Sequence, residues 1–365
     1  MSTKSKKRRL AYYITSHGFG HAIRSLKVVD QLLLRAPHLE IVIVSTIPQF
    51  LLDQNLSRSL PLRERQLDVG MVQQDSLRFD LSATLKALVS LRANQSTLVL
   101  EEINFLETSG IQAVICDIPF LPFAAASQAS IPAIGISNFT WDWIYQAYIP
   151  GDPRWAPLVD WIRKSYGKCD LLLQLPMHGD CSACPNVQDV PLVARRSQKD
   201  RYETRKILQL DSEKKAYLVS FASLELEVTA QKRIEDISHA LFLYKHPISF
   251  DFSNGICLDD FPLAYEDVVA AVDGVITKPG YGILADCIAH STPIIYTDRG
   301  FFPEYDILVK QMSKELPTVY LSSEDFYGGK WKAAISELEE QPLRETTAPC
   351  NGAEVCSEII LRYLS

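Results

Sequence analysis

Twice in this chain an apolar run of β-forming residues ends in a glycine-bearing turn that leads straight into helix-patterned sequence. The first instance is residues 10–15, LAYYIT, followed by Ser16-His17-Gly18-Phe19-Gly20-His21. The second is residues 274–276, GVI, followed by Thr277-Lys278-Pro279-Gly280-Tyr281-Gly282. Strand, turn and helix in that order open an α/β unit. Continuous apolar strands alternating with helices predict a parallel sheet covered on both faces.

The alternation extends along most of the chain. Ile23, Leu26, Val29, Leu32 and Leu33 have helical spacing over residues 22–34. Strands are predicted at 41–45, at 113–116 with Asp117 at the carboxyl end, at 133–136 and at 171–174, with a helix at 122–129. A proline-bearing, turn-rich stretch at 176–196 marks the approach to a boundary. The pattern then restarts: helix 200–210, strand 216–221, helix 231–242, strand 247–251, helix 265–272, strand 274–276, helix 282–289 and strand 293–296. A final helix is expected at 355–364. A chain of 365 residues suggests two domains, at roughly 100–200 residues each. The expected division is an arm at 1–9, a first lobe at 10–198, a second at 199–349 and a last helix at 350–365.

Charge narrows the function classes. The net charge is -7 and the isoelectric point is near 5.6, which speaks against a general nucleic-acid binder. The basic run Lys4, Lys6, Lys7, Arg8, Arg9 reads as a solvated, disordered arm, or as a weak contact to anionic lipid. No secretory signal pattern and no apolar run of about 18–20 residues is present. A cytoplasmic protein with reduced thiols is therefore expected. His178, Cys181 and Cys184 have spacing that can supply three metal ligands, with Cys169 as a fourth if the chain folds back. A redox pair and incidental loop cysteines are the other readings.

The chemistry is expected where open parallel sheets place ligands, beyond the carboxyl ends of the strands. Gly18 and Gly20 allow a sharp turn, and the helix N-terminus that follows suits an anion. The spacing lacks the third glycine of the dinucleotide fingerprint. His17 and His21 are candidates for proton transfer near neutral pH, or else satisfied structural histidines. Arg24, one turn on, faces a phosphate or solvent. In the second turn, Gly280 and Gly282 can bring backbone N–H groups onto a diphosphate, and Asp286 lies at about the reach of a ribose hydroxyl. Arg299 to Tyr305 reads as a loop in which Glu304 accepts from sugar hydroxyls or is simply solvated. Ser220 or Ser223 can bond phosphate oxygens. Asn138, Trp141 and their neighbours suit stacking on a sugar ring, or packing between helices. No DxD-type metal signature stands out.

Residues 10–24, 138–145 and 277–305 resemble the N-terminal, glycosyltransferase-like region of plant L-arabinokinases and their stand-alone bacterial relatives. More widely, the chain resembles the glycosyltransferase-B (GT-B) superfamily, which includes the peptidoglycan enzyme that transfers N-acetylglucosamine to lipid I. The match runs through most of the chain, with residues 49–112 unrecognised. It implies an α/β GT-B fold: two Rossmann-like lobes with parallel sheets and an interlobe cleft. It implies a nucleotide sugar bound mainly by the second lobe, through Ser223, Lys278, Gly280, Tyr281, Gly282, Asp286 and Glu304. The acceptor side would comprise Gly18, Gly20, Arg24, Asn138 and Trp141, with His21 and His17 as the catalytic candidates. By analogy with such folds the last helix returns to the first lobe. Relatives often carry glycine where this chain has Ala222, whose methyl group can obstruct approach to phosphate. The sugar-kinase region that follows in plant arabinokinases is not within the 365 residues, so arabinokinase activity is not expected.

The resulting expectation is an inverting, metal-independent glycosyltransferase without a cofactor. It would use a UDP-sugar and an unknown hydroxyl acceptor, with His21 as base and backbone N–H groups around 280–282 stabilising the departing diphosphate. A non-catalytic nucleotide-sugar sensor and a nucleotide-sugar epimerase are the alternatives.

Overall fold

The computed structural model describes residues 8–73, 79–210 and 213–364. The chain divides into two compact units. The first comprises Met1–Val72, Asp80–Ala194 and Pro349–Ser365, and the second Gln73–Phe79 and Arg195–Ala348.

The first unit holds seven strands: β1 Arg9–Ile14, β2 Glu40–Ser45, β3 Leu62–Glu64, β4 Ala113–Asp117, β5 Ala133–Ser137, β6 Leu171–Gln174 and β7 Val187–Asp189. Their order in the sheet is β3-β2-β1-β4-β5-β6-β7, and every pairing is parallel. β4 and β5 are buried along their whole length, as strands covered on both faces must be. The helix Phe19–Arg35 buries Ala22, Leu26, Val29, Leu32 and Leu33 on one stripe. Against it packs the helix Gly352–Tyr363, which buries Cys356, Ile359 and Ile360. Arg35 and Glu358 pair at 2.9 Å across this contact. The returning segment also bonds Leu192 to Pro349, and Gly352 to Leu192, through the backbone.

The second unit holds six strands: β8 Lys215–Ser220, β9 Ala240–Tyr244, β10 Gly255–Cys257, β11 Gly274–Thr277, β12 Ile294–Tyr296 and β13 Thr318–Tyr320. The order is β10-β9-β8-β11-β12-β13, again all parallel. Counted from its own first strand this is 3-2-1-4-5-6, the doubly wound arrangement, and the first six strands of the other unit follow it too. Each sheet therefore has a point where the winding reverses, between β1 and β4 and between β8 and β11. A crevice opens there at the carboxyl ends. The core of the second unit gathers Phe242, Phe252, Phe326 and Trp331, with Trp331 stacked on Phe326.

Three expectations are corrected. Residues 231–242 are not one helix: the helix Val228–Glu235 stops and β9 begins at Ala240. The ALFLY run is a buried strand paired to β8, and a short apolar run does not distinguish the two by periodicity. Residues 247–251 are not a strand, although Ile248 and Phe250 are core residues; the strand is β10, further on. Arg9 is not part of a loose arm. It opens β1, and its guanidinium bonds Glu40 and the carbonyl of Ser109. Lys4, Lys6 and Lys7 lie outside the described residues. Among those described, no helix is long and apolar enough to cross a membrane.

Candidate functional site

In the first unit, the turn after β1 leads into the helix Phe19–Arg35 through Gly18, whose φ of 75° and ψ of 153° belong to glycine's territory. The helix starts inside the expected turn, so Gly20 and His21 lie in its first turn. His21 then meets Asp117 at the carboxyl end of β4, with Nδ1 2.9 Å from Oδ1. Asp117 is fully buried and also accepts from Arg24 Nε at 2.8 Å, Arg24 Nη2 at 2.7 Å and Ser25 Oγ at 2.6 Å. Burial alone would push the Asp117 carboxyl up. The Arg24 guanidinium, and then the His21 ring, reverse this and hold it well below the usual carboxylate range.

Arg24 Nη2 also lies 2.9 Å from His21 Nδ1. Nδ1 thus lies between a guanidinium, which only donates, and a carboxylate, which only accepts; a proton on Nδ1 serves Asp117, and Arg24 Nη2 then donates to Asp117 Oδ1 rather than to the ring. That tautomer, assigned from the network, puts the imidazole lone pair on Nε2. His17 differs: its Nδ1 accepts from the N–H of Met71 at 3.1 Å, and its ring stands edge-on to Trp141.

Several predicted residues of this unit have other duties. Arg24 is 3% exposed and does not face solvent; besides Asp117 it donates to Asn138 Oδ1 at 2.6 Å. Asn138 thereby supports Arg24 from behind. Trp141 is fully buried, stacked on Tyr145, and donates to Asp68 at 2.9 Å. It is a packing residue and offers no face to a sugar.

Sequence reasoning missed the parts played by Asp117 and Asp68. For Asp117 the signal was an acid ending an apolar strand at the ligand edge. Asp68 carried no signal. Burial pushes its carboxyl up to about 6, against hydrogen bonds from Thr15 and Trp141. An unfolded aspartate titrates near ~3.9, so between about pH 4 and 6 the folded chain holds a proton that the unfolded chain releases. Stability from this group rises as pH falls through that window. At neutral pH its ionised form opposes folding by about 3 kcal/mol. Asp68→Asn is expected to raise stability at pH 7.5 and flatten its dependence between pH 4 and 6, as denaturant unfolding at pH 5 and 7.5 would show.

In the second unit, β11 ends in Thr277, whose hydroxyl donates to the carbonyl of Ser220 at the end of β8. The two strands flanking the winding reversal are thus tied together. Gly280 caps the helix Tyr281–His290 with an extended φ of −149°, and a Cβ built on it meets nothing within 4 Å. The helix N-terminus has no side-chain cap, so its N–H groups suit an anion. Gly282 lies in the first turn and Lys278 two residues before the cap. Arg299 draws the third element close: its Nη1 donates to the carbonyl of Pro279 at 3.1 Å and to Glu304 at 3.0 Å. Glu304 is the first residue of the helix Glu304–Glu315, not a loop residue, and is 3% exposed.

Asp286 is expected from the sequence at about the reach of a ribose hydroxyl. It is 2% exposed, and its carboxylate accepts from the Arg195 backbone N–H at 2.9 Å and from Arg195 Nε at 3.0 Å. These bonds tie the helix Tyr281–His290 to Arg195 at the start of the second unit. Ser220 Oγ accepts from Tyr265 at 2.6 Å, while Ser223 and Ala222 are exposed in the loop after β8. Among the described residues His178, Cys181 and Cys184 do not come together as a metal-ligand group: Cys181 and Cys184 are buried, while His178 is exposed and bonds the carbonyl of Gly179.

Both units thus repeat one doubly wound sheet, each with a glycine turn at its winding reversal. The glycotransferase of kitacinnamycin matches this chain with a TM-score of 0.67 at 15% identity, over 98% of this chain and 99% of its own. The fold is GT-B. A second GT-B structure, UGT2 of Phytolacca americana complexed with UDP-2-fluoro-glucose and pterostilbene, matches with a TM-score of 0.59 at 14% identity, over 98% of this chain and 100% of its own. In sequence the chain is similar to L-arabinokinase of Arabidopsis thaliana, with 27% identity over 364 residues. That match covers 99% of this chain and 35% of the relative, so the chain spans about a third of that protein's length. No protein-family model matches.

Proposed function

We propose that the chain is an inverting glycosyltransferase that moves a sugar from a UDP-linked donor to a hydroxyl acceptor. The observation that carries this reading is His21 held on Asp117 at the ligand edge of the first GT-B unit. In the proposed step His21 Nε2 takes the proton of the acceptor hydroxyl as its oxygen attacks the anomeric carbon. The bond to the diphosphate breaks on the opposite face, and Asp117 stabilises the imidazolium that forms. His17, whose Nδ1 is engaged by Met71, helps shape the turn. In the second unit the helix N-terminus at 280–282, with Lys278 and Ser223, would receive the diphosphate charge without a metal. The UDP-2-fluoro-glucose of the Phytolacca structure supports the choice of donor. The buried thiols Cys116, Cys169, Cys181, Cys184 and Cys287 suit a reducing, cytoplasmic setting.

The test is a thermal-shift screen of nucleotides and nucleotide sugars, followed by detection of UDP release with candidate acceptors. A ligand that binds only the folded state raises the melting temperature. Gly280→Val is the sharpest variant. Its φ suits any residue and its Cβ has room, so folding should be untouched while donor affinity falls by about tenfold or more, roughly 1.4 kcal/mol. Unchanged donor affinity in this variant would remove the glycine turn from the site.

A second reading, a nucleotide-sugar sensor, draws on the similarity to part of a protein described as a kinase. Donor binding without UDP release across a broad acceptor panel would favour it.

A further inference from the structure

We propose that His246, Cys257 and Asp259 form a zinc-class metal site on the edge of the second sheet. β10 is the edge strand, paired in register to β9 with Cys257 opposite Tyr244. His246 follows β9, and Asp259 follows Cys257. The pairing continues as Leu258 N–H donates to the carbonyl of Tyr244 at 2.8 Å, so the backbone fixes where all three side chains start. Asp259 Oδ2 accepts from the His246 backbone N–H at 3.0 Å and from Cys257 Sγ at 3.4 Å. His246 Nε2 lies 3.9 Å from the same oxygen. One ligand atom from each residue falls within 4.8 Å of the others.

Those spacings are close to the edges of a coordination tetrahedron. Zinc bonds of about 2.3 Å to sulfur and about 2.0 Å to nitrogen or oxygen give ligand–ligand edges of about 3.3–3.5 Å. Closing the histidine onto Asp259 and Cys257 from its present spacing, 3.9 Å to Asp259 Oδ2 and within 4.8 Å of the sulfur, completes three corners. One thiolate, one imidazole and one carboxylate form a mixed set that favours a borderline divalent ion over calcium or magnesium. The histidine is well exposed and the aspartate partly so, which leaves a fourth corner to water. On binding, the thiol proton passes to solvent and sulfur bonds the metal as thiolate. Asp260 adds negative charge nearby and Lys245 opposes it. Two strands, β9 and β8, separate β10 from β11 in the sheet order, and the site does not rest on the proposed transferase reading. Its effect would be to clip the edge strand to the segment after β9.

Cobalt(II) titration of the full chain tests it, because thiolate coordination to cobalt gives a near-ultraviolet charge-transfer band and tetrahedral geometry gives intense visible bands. One equivalent is expected to bind with both signatures, and zinc to displace it. Cys257→Ser should abolish the charge-transfer band with the far-ultraviolet dichroism unchanged. His246→Ala should weaken cobalt binding on the order of 10–100-fold, at least what loss of an outer-shell partner costs. No charge-transfer band in the parent, or a band that persists in a folded Cys257→Ser chain, would overturn the assignment.

Discussion

Asp117→Ala is expected to destabilise the first unit by about 3–5 kcal/mol, the range for breaking a buried ion pair from one side. The loss comes from what the substitution leaves behind. Arg24 is 3% exposed, and two of its nitrogens bond Asp117. Without the carboxylate, a guanidinium stays buried without the ion-pair partner it now has, with Asn138 among its remaining acceptors. Ser25 loses its acceptor as well. Arg24→Met combined with Asp117→Leu should therefore cost less than the sum of the single changes, because the pair departs together. Denaturant unfolding followed by tryptophan fluorescence measures this well, since Trp141, Trp143, Trp155 and Trp161 all belong to the first unit. The pH dependence has a definite sign. A carboxyl depressed in the folded state adds stability that is present above the unfolded value and is lost as pH falls through the folded one. The parent should begin to lose this contribution as pH falls below the unfolded aspartate value of about 3.9 and go on losing it into stronger acid, and Asp117→Ala should lack that acid-limb loss.

The second large effect is on turnover. His21→Ala is expected to lower UDP release in the presence of acceptor by roughly 10²–10⁴-fold, the usual yield of a positioned general base. Donor affinity should stay unchanged, because the proposed diphosphate contacts lie in the second unit. Equal release by parent and variant would remove His21 from the chemistry while leaving donor binding intact. Asp117→Asn should lower turnover in the same direction, since the amide can present a donor to Nδ1 and so favour the wrong tautomer.

Much of the architecture was legible because doubly wound folds write their core strands as unbroken apolar runs. AVIC at 113–116, LLLQ at 171–174 and the two strand–glycine–helix passages fell where the elements are. Misreadings came where local pattern and tertiary use diverge. ALFLY adjoins a helix and has no polar break, so only its pairing with β8 marks it as a strand. Ile248 and Phe250 fill the core from a loop. β7 and β13, three residues each, are too short to carry a period.

The candidate site was legible as a place more than as a set of roles. Position 21 at the strand end was readable, but its bond to a residue 96 positions away was not. Arg24, Trp141, Asn138 and Asp286 are residue types that a ligand would favour. Each is instead engaged by the protein's own framework, and burial is a property no local window reports.

The return of Gly352–Tyr363 to Phe19–Arg35 makes the second unit an insertion within the first. On a ribosome adding about 5–20 residues per second, Arg195–Ala348 emerges over roughly ten seconds or more before that last helix is made. Until then the helix Phe19–Arg35 lacks the partner that packs against it, while the inserted unit already has its whole sheet. The later-synthesised unit can thus finish folding first, and the first unit closes only when the returning helix docks on Phe19–Arg35.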